Sequence, residues 1–320
     1  MQTGLHSYTA SHHADWAIGP TLHGGCVAAL FHLTAVTHFT TTLKQYDQPD
    51  VLTLHIEFLR YCVSKAFEIT VVELKRGGTH CTIQIQLAQK GQIKAIALAT
   101  STNFNESLGP SSNTNWTLNP PPAKPIPDFT KVMSNKPDEN WIPGRVNGEV
   151  IPLSRHMLVL NPRGGYLVPG VWDAWNRFTN EPMDATCLAL MCDIVPSMSD
   201  TLLRNGGIYD AHGSFAIMDE WANKRPGEVC ELTNSLAEAA TAEIFDNTLT
   251  MDIEFKKKLP DSGIQWLFTR ALTRKLDKGR MDLELTICDQ EMDLICLSRQ
   301  SVLVLDARRR FKTAKNKPNL

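Results

Sequence analysis

Residues 52–58 read LTLHIEF and residues 249–255 read LTMDIEF. Five of the seven positions are identical, and the two exchanges are Leu54 for Met251 and His55 for Asp252. The copies are offset by 250 − 53 = 197 residues, more than half the chain. Within each heptad apolar and polar side chains alternate, the signature of a strand with one buried face.

The flanks repeat too. FEITVVELKRGG, THCTIQIQLAQKGQ and IKAIALATSTNF follow the first heptad, and IQWLFTRALTRKLDKG, RMDLELTICDQEM and DLICLSRQSVLVLD follow the second. Each set reads as three alternating strands broken by glycine or charged turns. Gly78 matches Gly279, and Ile93 with Ala95 matches Leu294 with Cys296. The drift to 294 − 93 = 201 needs about four extra turn residues, ordinary loop variation. The chain is therefore read as an internal duplication.

Its 320 residues suit two domains, each able to bury a core. A formal charge of −2 gives no electrostatic case for a nucleic acid or anionic membrane partner. The eight cysteines are scattered without a CxxC pair. No apolar leader opens the chain, and no run approaches the roughly 20 residues that span a bilayer. The expectation is a reduced, cytoplasmic protein.

The opening residues 1–17 are polar, with His6, His12 and His13 ahead of Asp15 and Trp16. Histidines in such a tip can bind metal, but without a second ligand cluster they read as a solvated loop, so no metal or other cofactor is expected. GPTLHGGCVAALFHLTAVTHF follows, apolar nearly all round from Cys26 to Phe39, which marks a buried helix. Gly24 and Gly25 at its start would either let a ligand approach the free N–H groups or let the helix pack tightly.

Residues 105–138 are rich in Pro, Asn and Ser and read as a linker. The domain reading is then a first unit over 1–104, the linker, and a second unit over 139–310. EPMDATCLALMCDIV supplies a second apolar helix, with Pro182 and Asp184 as start signals. It lacks the Gly-Gly opening. An insertion over 196–248, largely helical in pattern, separates it from the second heptad, and residues 311–320 form a basic tail.

A buried helix followed by strands that wrap it, occurring twice, resembles the double hotdog of the thioesterase-like superfamily. LHGGCVAAL, QPDVLTLHIEFLR with the strands to ATSTNF, and TLTMDIEF to LICLSRQSVLVLD carry the resemblance. It implies an α+β fold of two tandem hotdog units, each with a long central helix wrapped by an antiparallel sheet. It also implies an acyl-CoA or other acyl-thioester substrate held between the units, and association into a homo-oligomer.

In related type II acyl-CoA thioesterases a water is held by an acidic residue on the second heptad strand, a hydroxyl residue and a glutamine on the last strand. The glutamine falls on Gln300 and the acidic position on Thr250, while the hydroxyl partner has no match near Lys278, Gly279 and Arg280. A threonine can orient water but cannot deprotonate it at neutral pH. Asp252 would leave the same strand face about 7 Å away, as a substitute base or as an ordinary solvated or paired aspartate. Gln300 reads as a water ligand or a sheet-edge cap, and His55 as a base in the partner site or a structural residue. His23, just before Gly24, is a pocket candidate at the helix N-terminus.

No GxSxG, GxGxxG, Walker, HExxH or zinc-finger pattern occurs. Three readings follow. The first is a water-mediated acyl-thioester hydrolase in which Gly24 and Gly25 amides hold the thioester carbonyl. The second is a hotdog enzyme diverted to dehydration, isomerisation or cyclisation of an acyl- or polyketide-derived intermediate. The third is a non-catalytic acyl binder.

Overall fold

The computed structural model describes residues 1–19, 21–166, 168–204 and 210–307. Its first half contains β1 (Gln2–Gly4), β2 (Ser7–Ala10), β3 (Ala17–Ile18), β4 (Thr21–Leu22), α1 (Gly24–Thr41), β5 (Asp50–Phe58), β6 (Phe67–Lys75), β7 (Thr82–Gln89) and β8 (Gln92–Thr102). The remainder opens with α2 (Phe129–Met133), β9 (Trp141–Val146), β10 (Met157–Pro162), β11 (Val171–Phe178), α3 (Ala185–Met191), α4 (Met198–Leu203) and α5 (Ala211–Lys224). It closes with β12 (Cys230–Leu232), α6 (Leu236–Ala239), β13 (Ile244–Phe255), β14 (Leu267–Leu272), β15 (Leu276–Asp277), β16 (Arg280–Cys288) and β17 (Leu294–Asp306).

The two heptads lie on β5 and β13, and these strands pair antiparallel at the centre of the molecule. That pairing joins both halves into one sheet, in the order β1-β2-β6-β7-β8-β5-β13-β17-β16-β14-β11-β10-β9-β12, with β15 against β16. β9 and β12 run parallel. Alternation decides the faces: Leu54, Ile56, Met251, Ile253 and Phe255 are buried, whereas Glu57, Asp252 and Glu254 are exposed.

The nearly all-apolar helix has a place to bury every side. α1 packs on β5, β7 and β8 and, on its other flank, against α3. Phe31, Ala35 and Phe39 share its core with Ile83, Ile85, Leu188 and Met251. In the second half the helical layer is divided. α3 starts on Asp184, whose carboxylate accepts from the Cys187 N–H at 2.9 Å, and ends at Met191. α4 starts after Pro196, which has no N–H to continue a helix. Together the sheet and these central helices form an α+β double hotdog.

The opening residues are not simply a loop. β2 extends the sheet against β6, and Tyr8, alternating with exposed neighbours, is buried. The Pro-rich stretch also packs: Leu118 and Val132 join Trp141, Trp175 and Trp266 in a core cluster, and the Trp141 indole N–H donates to Pro125 O at 2.8 Å. No described helix is long and apolar enough to cross a membrane. The basic tail lies outside the described residues.

Candidate functional site

The N-terminus of α1, the break between α3 and α4, and the first half of β13 converge. His23 is the N-cap of α1. The Gly25 N–H donates to Asp193 Oδ2 at 2.8 Å and lies 3.1 Å from His23 Nδ1. Asp193 stands just past α3, where it places a carboxylate on the positive end of the α1 dipole. A Cβ on Gly24 would sit 2.7 Å from Asp193 Oδ2, and one on Gly25 would sit 2.4 Å from Leu190 O. Glycine here admits a neighbouring helix end rather than strain, and the Gly25 amide is already engaged.

Gln300 is buried on β17 beside this junction. Its side-chain N–H donates to Cys192 O at 2.7 Å, and its Oε1 accepts from Thr248 Oγ1 at 3.2 Å. A carboxamide nitrogen has two hydrogens, so one hydrogen of Gln300 remains for another acceptor.

Thr248 reaches Gln300 because β13 is bulged. Thr248 pairs with Val302 and Thr250 with Ser301, so Leu249 is the additional residue. Beyond the bulge, Met251 opposes Gln300 and Asp252 opposes Arg299. Directly opposed residues share a face. Thr248 therefore lies on the inner face with Gln300, while Thr250 and Asp252 lie on the outer one. Asp246 opposes Val304 and, two residues before Thr248, shares its inner face.

Asp246 completes the cluster. Its Oδ1 accepts from Ser199 Oγ at 2.7 Å and its Oδ2 from Ser197 Oγ at 3.4 Å. Asp246 is an exposed residue of β13, but its carboxyl packs against Ser197 and Ser199, and desolvation at that contact pushes it up to about 6. The negative charges of Asp200 and Asp193 add to that rise, and the serine hydrogen bonds oppose it. A carboxylate tuned in this way can accept a proton near neutral pH.

Of the residues singled out from sequence, Gln300, His23, Gly24 and Gly25 come together. Thr250, Asp252 and His55 lie on the opposite face. There His55 Nδ1 is 2.6 Å from Asp252 Oδ1, in an exposed pair bordered by Glu57. Asp246, Ser199, Thr248 and Asp193 escaped the sequence reading. The alternation of Asp246 with Thr248 carried the signal, but Leu249 resets the phase before the heptad. A cleft of about 580 Å³ lined by Lys257, Lys258 and Asp289 lies beyond the Phe255 end of β13, away from this cluster.

Similarity to known proteins covers both halves. Residues 12–103 match the acyl-CoA thioesterase N-terminal domain and residues 127–304 the acyl-CoA thioesterase C-terminal domain. The chain is 24% identical to thioesterase-like protein TwmA of Talaromyces wortmannii, over 96% of this chain and 90% of that one. Acyl-CoA thioesterase II TesB2 of Mycobacterium marinum superposes with a TM-score of 0.60 at 19% identity, covering 96% of this chain and 94% of that one. A hotdog-fold protein of Alicyclobacillus acidocaldarius gives 0.61 at 18% identity, with 94% and 93% covered. The chain belongs to the acyl-CoA thioesterase family.

Proposed function

We propose that the protein hydrolyses an acyl-CoA or related acyl thioester by direct attack of water, with Asp246 as general base. The observation that carries this reading is the Asp246 carboxylate, raised to about 6 and held by Ser199 on the inner face that also carries Thr248 and Gln300. Asp246 and Thr248, two apart on β13, stand about 7 Å apart along the strand, and Thr248 is in turn hydrogen-bonded to Gln300. Asp246 takes a proton from the attacking water, whose oxygen adds to the thioester carbonyl carbon. The carbon–sulfur bond then breaks, and the thiolate leaves and is protonated. The remaining Gln300 N–H orients the water or the developing oxyanion, in the manner of preorganised donors. Ser199 positions Asp246, and His23 and Asp193 hold the α1 terminus against the site.

The test is a panel of acyl-CoAs with free-thiol detection, comparing the natural protein with Asp246→Asn and Gln300→Ala. Thiol release that falls at least about 100-fold in Asp246→Asn supports the base assignment. Release that survives in Asp246→Asn overturns it. Acyl-CoA binding without release by the natural protein returns the reading to a binder.

A further inference from the structure

We propose that His6, His38 and Glu73 form a binding site for a divalent metal ion of the zinc class, completed by solvent, that ties the β1–β2 turn to α1 and β6. The three residues are distant in sequence. His6 lies between β1 and β2, His38 in the last turns of α1, and Glu73 on β6. His38 Nε2 stands 3.1 Å and His6 Nδ1 3.5 Å from the same oxygen, Glu73 Oε1. All three atoms lie within 4.8 Å of one another.

Those separations suit a metal. Zinc–nitrogen bonds of about 2.0–2.1 Å in a tetrahedron put neighbouring ligand atoms about 3.3 Å apart. The two edges at Glu73 bracket that value. The His6–His38 edge can close by rotation of the His6 ring, whose side chain is 40% exposed on a turn. Its backbone is fixed, because the Val71 N–H donates to His6 O at 2.9 Å. Moreover, His6 Nδ1 is buried and, beyond its 3.5 Å approach to Glu73 Oε1, makes no hydrogen bond among the described residues. A buried nitrogen left with only that long contact gains from a closer partner.

The surroundings are those of ligands rather than of a simple ion pair. Tyr8 OH lies 2.8 Å from His38 Nδ1. With a metal on Nε2, the Nδ1–H donates to that phenol oxygen, fixing the ring and its tautomer as outer partners of metal-bound histidines do. The Arg76 guanidinium pairs with the other oxygen of Glu73, Oε2, which leaves Oε1 to the metal. Arg76 is 57% exposed, so solvent screens its charge from the ion. Two imidazole nitrogens and one carboxylate oxygen with an open position favour zinc and its first-row neighbours over magnesium or calcium.

The full-length protein, stripped with EDTA and dialysed, is titrated with Zn2+ by calorimetry and with Co2+ by visible absorbance. One saturable Zn2+ per chain and a rise in Tm are expected, since the metal binds the folded state. His6→Ala and Glu73→Gln each weaken binding more than tenfold, with unchanged circular dichroism. Tyr8→Phe weakens it about 10–100-fold through the lost outer partner. The double variant His12→Ala with His13→Ala, which alters the neighbouring histidines, binds like the natural protein. Absence of stoichiometric binding overturns the proposal, as does binding that survives His6→Ala or is lost in the His12/His13 variant. His6 is half-exposed, so its variant decides the question even if Glu73→Gln fails to fold.

Discussion

His55 and Asp252 are equivalent positions of the two repeats, and they face each other across β5 and β13 with 2.6 Å between Nδ1 and Oδ1. Their separation of 197 residues is the repeat offset itself, so the local twofold axis relating the heptads passes between them. The pair joins the halves on the solvent side of the sheet. Burial opposes the His55 charge, yet the hydrogen bonds and fields of Asp252 and Glu57 outweigh it and raise the histidine pKa. A raised folded-state pKa contributes stability that is complete below the unfolded value, about 6.5, and is lost as pH rises through the folded value. His55→Gln should therefore cost under about 1 kcal/mol at pH 5.5, as for other exposed pairs, and nothing at pH 9. Urea melts at the two pH values test this, and an equal loss at both would assign the effect to packing.

Asp246 should show the opposite association of stability and activity. Its pKa rises from 3.8 to about 6 on folding. The folded state thus favours the protonated acid, and that contribution is lost as pH climbs through about 6. Above that pH the ionised group costs stability, limited by solvent screening to about 1 kcal/mol. Asp246→Asn should melt slightly higher than the natural protein at pH 8 while losing thioester hydrolysis. In the natural protein kcat/KM should rise with pH through about 6. A variant that loses both stability and activity would make Asp246 a structural residue.

His32 gives a second pH signature, independent of activity. It is buried between α1 and α3, with Nδ1 3.1 Å from Thr186 Oγ1, and burial lowers its pKa from 6.5 to about 4, against the Asp184 charge. A depressed folded value contributes stability above the unfolded pKa and loses it as pH falls through the folded one. The shift of 6.5 − 4 = 2.5 corresponds to on the order of 3 kcal/mol lost between pH 6.5 and 4. His32→Leu should flatten the acid limb of the stability curve. An unchanged limb would place the acid-sensitive group elsewhere.

The fold was legible because its decisive strands advertise themselves. LTLHIEF and LTMDIEF alternate cleanly, and an all-apolar helix such as 26–39 has nowhere to go but between layers. The resemblance pointed to Gln300, which the structure places against Thr248 and Cys192 O, and the bulge turns Thr250 to the opposite face. That bulge falls at Leu249, without glycine or proline to announce it, and it moves the inner face onto Thr248 and Asp246. Asp193 was hidden for another reason. Its partner Gly25 is 168 residues away, and a helix-capping carboxylate across that distance has no local pattern. His6 was visible as a histidine of the opening stretch, but its approach to His38 and Glu73 follows only from β2 joining β6.

Thr250→Asp isolates the bulge. Were β13 regular through residue 249, the acidic position carried over from the family would face Gln300, and a carboxylate there would act as a base. With the bulge, Thr250 opposes Ser301 and Glu57 on the outer face. A new carboxylate there joins Glu57 and Asp252, and like charges on neighbouring strands are destabilising. Thr250→Asp should therefore lower Tm modestly and leave acyl-CoA hydrolysis at the natural rate, and adding Gln300→Ala should reduce the rate as much as Gln300→Ala does alone. A gain in hydrolysis that disappears with Gln300→Ala would mean that position 250 reaches the inner face. The base would then belong there and not at Asp246.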